Sequence, residues 1–148
     1  MRSCEQLAGH VLHAHRRAPA VSAWSVGQHL EHSFISATGI IRQLAASIPG
    51  QRRRAWSLLW TVVSLTGHIP RGRGVAPPAV HPQPEPTAER LAEVHAEAVA
   101  NLGRVDAIDP RAWFLHPVFG VLERRGALRF IDIHHRHHAK IIRDILAR

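Results

Sequence analysis

Residues 129–146 read RFIDIHHRHHAKIIRDIL, with four histidines inside five residues and isoleucines on both sides. Placed on a helix at about 100° per residue, Phe130, Ile131, His134, His138, Ile141, Ile142 and Ile145 share one side. His134 and His138 fall near the centre of that apolar stripe, His135 toward one edge and His137 toward the other. The stretch therefore predicts a long final helix, running from about Arg125 or Leu128 to Leu146, that carries imidazoles into a core.

The rest of the chain repeats the helical code. Residues 4–17 set Leu7, Val11 and Ala14 on one side, with Pro19 beyond, and predict a short helix. A second helix is announced by Ser22 or Ser25 and runs to about Ser47, where Pro49 and Gly50 stop it; Val26, Leu30, Ala37, Ile41, Leu44 and Ile48 mark its buried face. Residues 51–66 suggest an additional helix with Trp56, Leu59, Trp60 and Val63 inward. Its opening run, Arg52, Arg53 and Arg54, meets the unfavourable end of the helix dipole and so faces outward or binds an anion.

Residues 67–86, GHIPRGRGVAPPAVHPQPEP, contain six prolines and can neither continue a helix nor supply a central strand. So long an irregular segment is either a linker or a loop laid over a site. From Thr87 the periodicity returns, with Glu85 and Glu89 suiting the opening turn. Leu91, Val94, His95, Ala98, Leu102 and Val105 line one face. DPRAWFLHPVFG (109–120) reads as a turn packed by Trp113, Phe114 and Phe119. With no sustained strand alternation anywhere, the expected fold is an all-α bundle. It has four main helices, an additional helix and a long Pro/Gly-rich loop in the middle connection, all in one domain spanning residues 1–148.

Composition narrows the functions. The net charge of +8 rests on 19 Lys and Arg, all but Lys140 being arginine, against 11 acidic residues. The arginines are scattered and no zinc-finger spacing or aromatic platform accompanies them, so no nucleic-acid partner is expected. Residues 56–69, the most apolar run, are interrupted by Ser57, Ser64, Gly67 and His68 and are too short to span a bilayer. A single cysteine, Cys4, forms no internal disulfide, and beside a frayed terminus it is poorly placed as a nucleophile; a reducing cytoplasm is the default location.

Two neutral imidazoles four residues apart on one helix face are half of a site for a borderline divalent ion such as Zn²⁺. A lone buried histidine is ordinarily satisfied by a backbone carbonyl. Two neighbours on a core face each need partners, and burying them without any costs stability. The glutamate base of a helical His-Glu-x-x-His site is missing. A third ligand must come from another helix, and His29, His32 and His95 are the candidates. Periodicity favours His95, squarely on its own stripe, or His29 over His32.

WSVGQHLEHS (24–33), HPVFG (116–120) and LRFIDIHHRHHAKII (128–142) together resemble the DinB-like superfamily of metal-binding four-helix-bundle proteins. Its relatives include YfiT-like proteins and thiol-dependent S-transferases and isomerases. The likeness covers nearly the whole chain. In that family the first metal histidine lies eight residues after the tryptophan of the Trp-Ser pair, which corresponds to His32 here. The ligands of the last helix correspond to His134 and His138. The resemblance thus implies a metal set of His32, His134 and His138, with His29 outward or behind it.

His116, Pro117, Phe119 and Gly120 carry the HPxFG element of a subgroup. Where many relatives place a glutamine after the paired histidines this chain has Ile141, so the polar contact made there by that glutamine is lost.

Three neutral histidines leave a coordination position open for water or substrate, as in catalytic sites. The implied function is metal-dependent (Zn, Ni or Fe) chemistry on a small-molecule substrate. It is either S-transfer using a low-molecular-weight thiol cosubstrate or hydrolysis by water. Subsidiary roles are open to His95 as a hydrogen-bond donor near the metal, and to His137, His116 or Arg129 as partners of a cosubstrate or an acidic residue. The competing expectation is a bundle that serves protein association as a homodimer, with Trp56 and Trp60 exposed on its surface.

Overall fold

The computed structural model describes residues 2–51, 57–72 and 76–148. Its described residues form five α-helices: α1 (Arg2–Ala8), α2 (Val26–Ala46), α3 (Leu58–Thr66), α4 (Ala88–Gly103) and α5 (Arg124–Leu146). Two short strands, β1 (Trp113–His116) and β2 (Gly120–Glu123), pair antiparallel between α4 and α5. Arg52, Arg53, Arg54 and Trp56, singled out in the sequence, lie outside the described residues. No helix among the described residues is long and apolar enough to cross a membrane.

The central element is α2, which packs against both α4 and α5; α1 lies on α5 and α4, and α3 touches α5. The start of α2 is fixed by a reciprocal capping box. The Ser25 hydroxyl accepts from the Gln28 amide at 3.2 Å, and the Gln28 side chain accepts from the Ser25 amide at 2.9 Å. At the other end the chain turns extended at Ser47 (ψ 149°), before Pro49.

Leu30 and Phe34 of α2, Leu91 of α4 and Ile133 and Ile142 of α5 are fully buried together in the core. Each such side chain contributes roughly 1.5–3 kcal/mol of burial energy. Gly27 permits a close approach: a Cβ there would lie 3.1 Å from the Ala14 carbonyl oxygen and 3.2 Å from both Ala14 Cβ and Pro86 Cγ.

Several sequence expectations are corrected. The first helix ends at Ala8, and its expected second half is a separate 3-10 turn, Val11–His13, after the Gly9–His10 break. Cys4 is not at a frayed end but 1% exposed within the core. Ile48 is 63% exposed, because the helix that would have carried it inward has already ended.

The aromatic turn is a hairpin. His116 pairs with Gly120, whose φ of +74° closes the three-residue loop, and the His116 Nδ1 accepts from the Val118 and Phe119 amides at 3.0 and 3.1 Å. Four-residue strands are too short to show a period of two, which is why the chain read as all-α. Trp60 is buried, at 3% exposure, against Phe119 and Phe130 and offers no surface. The exposed large apolar residues of α3 are instead Leu58, Leu59, Val62 and Leu65.

Candidate metal centre

His32 on α2 and His134 and His138 on α5 meet where these two helices pack. The Nε2 atom of His134 lies 3.2 Å from that of His32 and 3.1 Å from that of His138. One ring nitrogen from each of the three falls within 4.8 Å of the others, so the group could hold a metal ion. Donors bonded at 2.0–2.1 Å around a tetrahedral ion are about 3.3 Å apart, close to the two short separations here.

The proton inventory of this cluster points the same way. The His32 Nδ1 stands 2.7 Å from the Val80 carbonyl oxygen, which can only accept, so the neutral ring carries its hydrogen there and its Nε2 is a bare lone pair. If the His134 Nε2 is also bare, two lone pairs face each other. If it is protonated, one hydrogen must serve two neighbours at once.

A second proton on any ring is opposed by the surroundings. The pKa of His134 is held well below 6.5, first by burial and then by His32, His135 and other neighbouring histidines. His138 is held low by burial and then by His134, His32, His29 and His137. His32 is lowered by burial and by His81, with the Val80 hydrogen bond opposing. A cluster of neutral nitrogens with more lone pairs than protons is complementary to a cation, and the donor set fits one.

The surroundings of the triad are built from the irregular segment before α4. Between Thr66 and Ala88 the only regular element among the described residues is a 3-10 turn, Pro78–Val80. Beyond the Val80 contact to His32, the Gln83 amide donates to Glu31 Oε2 at 2.7 Å and the Pro84 carbonyl accepts from Arg17 at 3.2 Å. Glu31, 1% exposed, also pairs with Arg90 Nε at 2.8 Å, tying α2, α4 and this strap together one residue from His32. Trp24 rests against the rings of His29, His32 and His81 at 5.4, 5.0 and 5.6 Å between centroids.

The other sequence candidates are distributed as follows. His29, 3% exposed, lies behind the triad with Nδ1 2.9 Å from that of His138. His95 is outside the cluster, packed on Phe34 with its Nε2 buried and without a hydrogen-bond partner among the described residues. The expected edge position of His135 is corrected: it is 1% exposed, with Nε2 3.3 Å from the Ser33 carbonyl and Nδ1 3.4 Å from the Ser3 hydroxyl. Because α5 is wedged between α2 and α1, its buried arc extends past the stripe, while His134 is only half-buried. Arg129 pairs with no acidic residue among the described residues; its Nε donates to the Ser64 carbonyl at 3.0 Å, near the end of α3.

His116 is locked by the hairpin and lowered to about 4 by burial. Sequence reasoning gave no place in the site to the side chains of Glu31 and Trp24 or to the Val80 carbonyl. A backbone carbonyl leaves no sequence signal, but an acidic residue on the apolar second helix, beside a candidate ligand, was a legible one.

A family model for the DinB superfamily matches residues 6–142. No curated protein and no solved structure matches the chain.

Proposed function

The chain belongs to the DinB superfamily, and from that premise we propose that it is a metal-dependent enzyme whose ion is held by the Nε2 atoms of His32, His134 and His138. The observation that carries this reading is the convergence of three neutral imidazoles at 3.1 and 3.2 Å with no arrangement of their own protons that satisfies both contacts. Its architecture is read as one domain, a four-helix bundle of α1, α2, α4 and α5 with α3 as the additional short helix.

Bound by three ligands, a Zn, Ni or Fe ion supplies Lewis acidity that lowers the pKa of a thiol or water at its open position. The reaction is S-transfer from a low-molecular-weight thiol, or hydrolysis if water takes the thiol's place. In S-transfer the sulfur lone pair forms the new bond to an electrophilic carbon of a small molecule. The carbon's bond to its leaving group breaks, and the thiol proton passes to solvent.

The protein contributes position and exclusion of water. Val80 orients His32, Trp24 walls the cluster, and Glu31 pins the segment that carries Val80 beside it. No side chain of the protein serves as the sulfur nucleophile, since Cys4 is buried in the core with its thiol pushed up to about 11, mainly by burial.

Metal content of protein purified without a histidine tag or nickel tests the reading. Wild type is expected to carry about one ion per chain and His134→Ala almost none; equal content in both removes the site. A second reading, a bundle that associates as a homodimer, is favoured by the exposed row Leu58, Leu59, Val62 and Leu65 on α3. Sedimentation of wild type and Val62→Glu discriminates: a dimer that dissociates on substitution supports association.

A further inference from the structure

His32 and His138 both present Nε2 to the cluster, but the groups behind them differ in kind. Behind His32 stands a carbonyl, which fixes one tautomer permanently. Behind His138 stands the ring of His29, Nδ1 to Nδ1 at 2.9 Å, and behind His29 stands the hydroxyl of Ser22, 2.9 Å from its Nε2. Every member of this chain can both donate and accept, so two directions are possible.

In one direction His138 donates from Nδ1 to His29, and His29 donates from Nε2 to Ser22. The His138 Nε2 is then bare and faces the cluster. In the other, Ser22 donates to the His29 Nε2 and His29 donates to the His138 Nδ1. The His138 Nε2 then carries the hydrogen and cannot bind a cation.

The Ser22 oxygen also accepts from the Trp24 amide at 3.1 Å, which holds it in place to receive from His29 as well. Reversal from the second direction to the first is balanced. The His138 Nε2 gives its proton to solvent, one proton crosses each of the two hydrogen bonds toward His138, and Ser22, half-buried, regains one from solvent, so every group begins and ends neutral.

We propose that His29 is a positioning residue that, anchored by Ser22, selects the tautomer of His138 able to ligate metal. This inference rests on the metal reading above and adds a residue to it. Its function is hydrogen-bond acceptance at the His29 Nδ1, and a substitution can preserve or remove that without a large change of shape. In His29→Asn the side-chain oxygen takes the place of Nδ1, whereas His29→Leu has nearly the same outline and no acceptor.

Zinc affinity of the full untagged chain, measured by competition with a chromophoric chelator, is the readout, with apo unfolding followed in parallel. His29→Leu is expected to bind zinc about 10- to 100-fold more weakly than wild type, and His29→Asn within about threefold of it. A packing role predicts the opposite order, since a buried leucine fills the site with no polar atom to satisfy. Zinc binding by His29→Leu equal to wild type, or by His29→Asn as weak as His29→Leu, overturns the proposal. His138→Ala keeps its failure distinct from failure of the site: loss of zinc there shows the site to be real whatever His29 does. Undiminished zinc there, or a wild type that binds none, removes the site and this inference together.

Discussion

Glu31 sits beside His32 on a helix whose first nine residues are all buried, and its carboxyl group depends on its partners to offset the cost of that burial. Those partners are unequal. Arg90 is about a third exposed and regains water when released, whereas the carboxylate, 2% exposed, does not. Removing the arginine is therefore worse than neutralising the acid.

Arg90→Ala is expected to destabilise the fold by about 2–4 kcal/mol in urea unfolding, and Glu31→Gln, which keeps an oxygen for the Gln83 amide, by about 1–2 kcal/mol. The reverse order would mean that the pair is not what holds the strap. At this scale the sequence was partly legible. His134 and His138 could be placed from spacing, because α5 has a distinct apolar side. His32 could not be chosen over His29, because both lie on a stretch buried all around, where periodicity carries no phase. The family resemblance chose His32 where the helical wheel had favoured His29 or His95.

Local end signals, not burial, explain which helices were read correctly as elements. Capping chemistry at Ser25 and Thr87 and a stop at Ser47 are local signals, and the observed bounds of α2 and the start of α4 follow them. The path of the strap depends on contacts distant in sequence, such as Val80 with His32 and Gln83 with Glu31, and no local pattern encodes it; the hairpin is local, but its four-residue strands carry no legible alternation.

Two glycines of α2 separate local preference from tertiary fit. At Gly39 an added Cβ meets nothing within 4 Å, so Gly39→Ala is expected to raise stability by about 0.5–1 kcal/mol through helix propensity alone. At Gly27 the same methyl is crowded by Ala14 and Pro86, and the Gly27 amide already donates to the Ala14 carbonyl at 2.9 Å. Gly27→Ala should therefore lower the unfolding midpoint despite the same gain in propensity. An increase there would show that residues 14 and 86 yield freely and that the strap is not seated on α2.

Across the whole molecule the unusual quantity is the number of histidines held neutral. Burial first, and then the neighbouring His32, His137 and Arg71, lowers His29 to about 3, and burial with Arg71 and His68 lowers His137 to about 4. His135 and His116 are also lowered to about 4, chiefly by burial, and His32, His134 and His138 are lowered with them.

In the unfolded chain each returns to about 6.5. Below that value the unfolded state binds protons that the folded state refuses, so stability is fully present above about pH 6.5 and is lost as pH falls toward about 4. The formal charge of +8, with histidines neutral, adds self-repulsion in the same direction as each ring becomes cationic.

Urea midpoints measured from pH 8 to pH 4.5 should be level above about pH 7 and fall steeply below about pH 6.5, before ordinary carboxylates begin to titrate. Zinc uptake should weaken over the same interval, because protons compete for the nitrogens that hold the ion. A midpoint that stays level down to pH 5 would mean that these rings reach solvent and protonate in the folded protein, and that the interior is not the neutral nitrogen cluster on which metal binding depends.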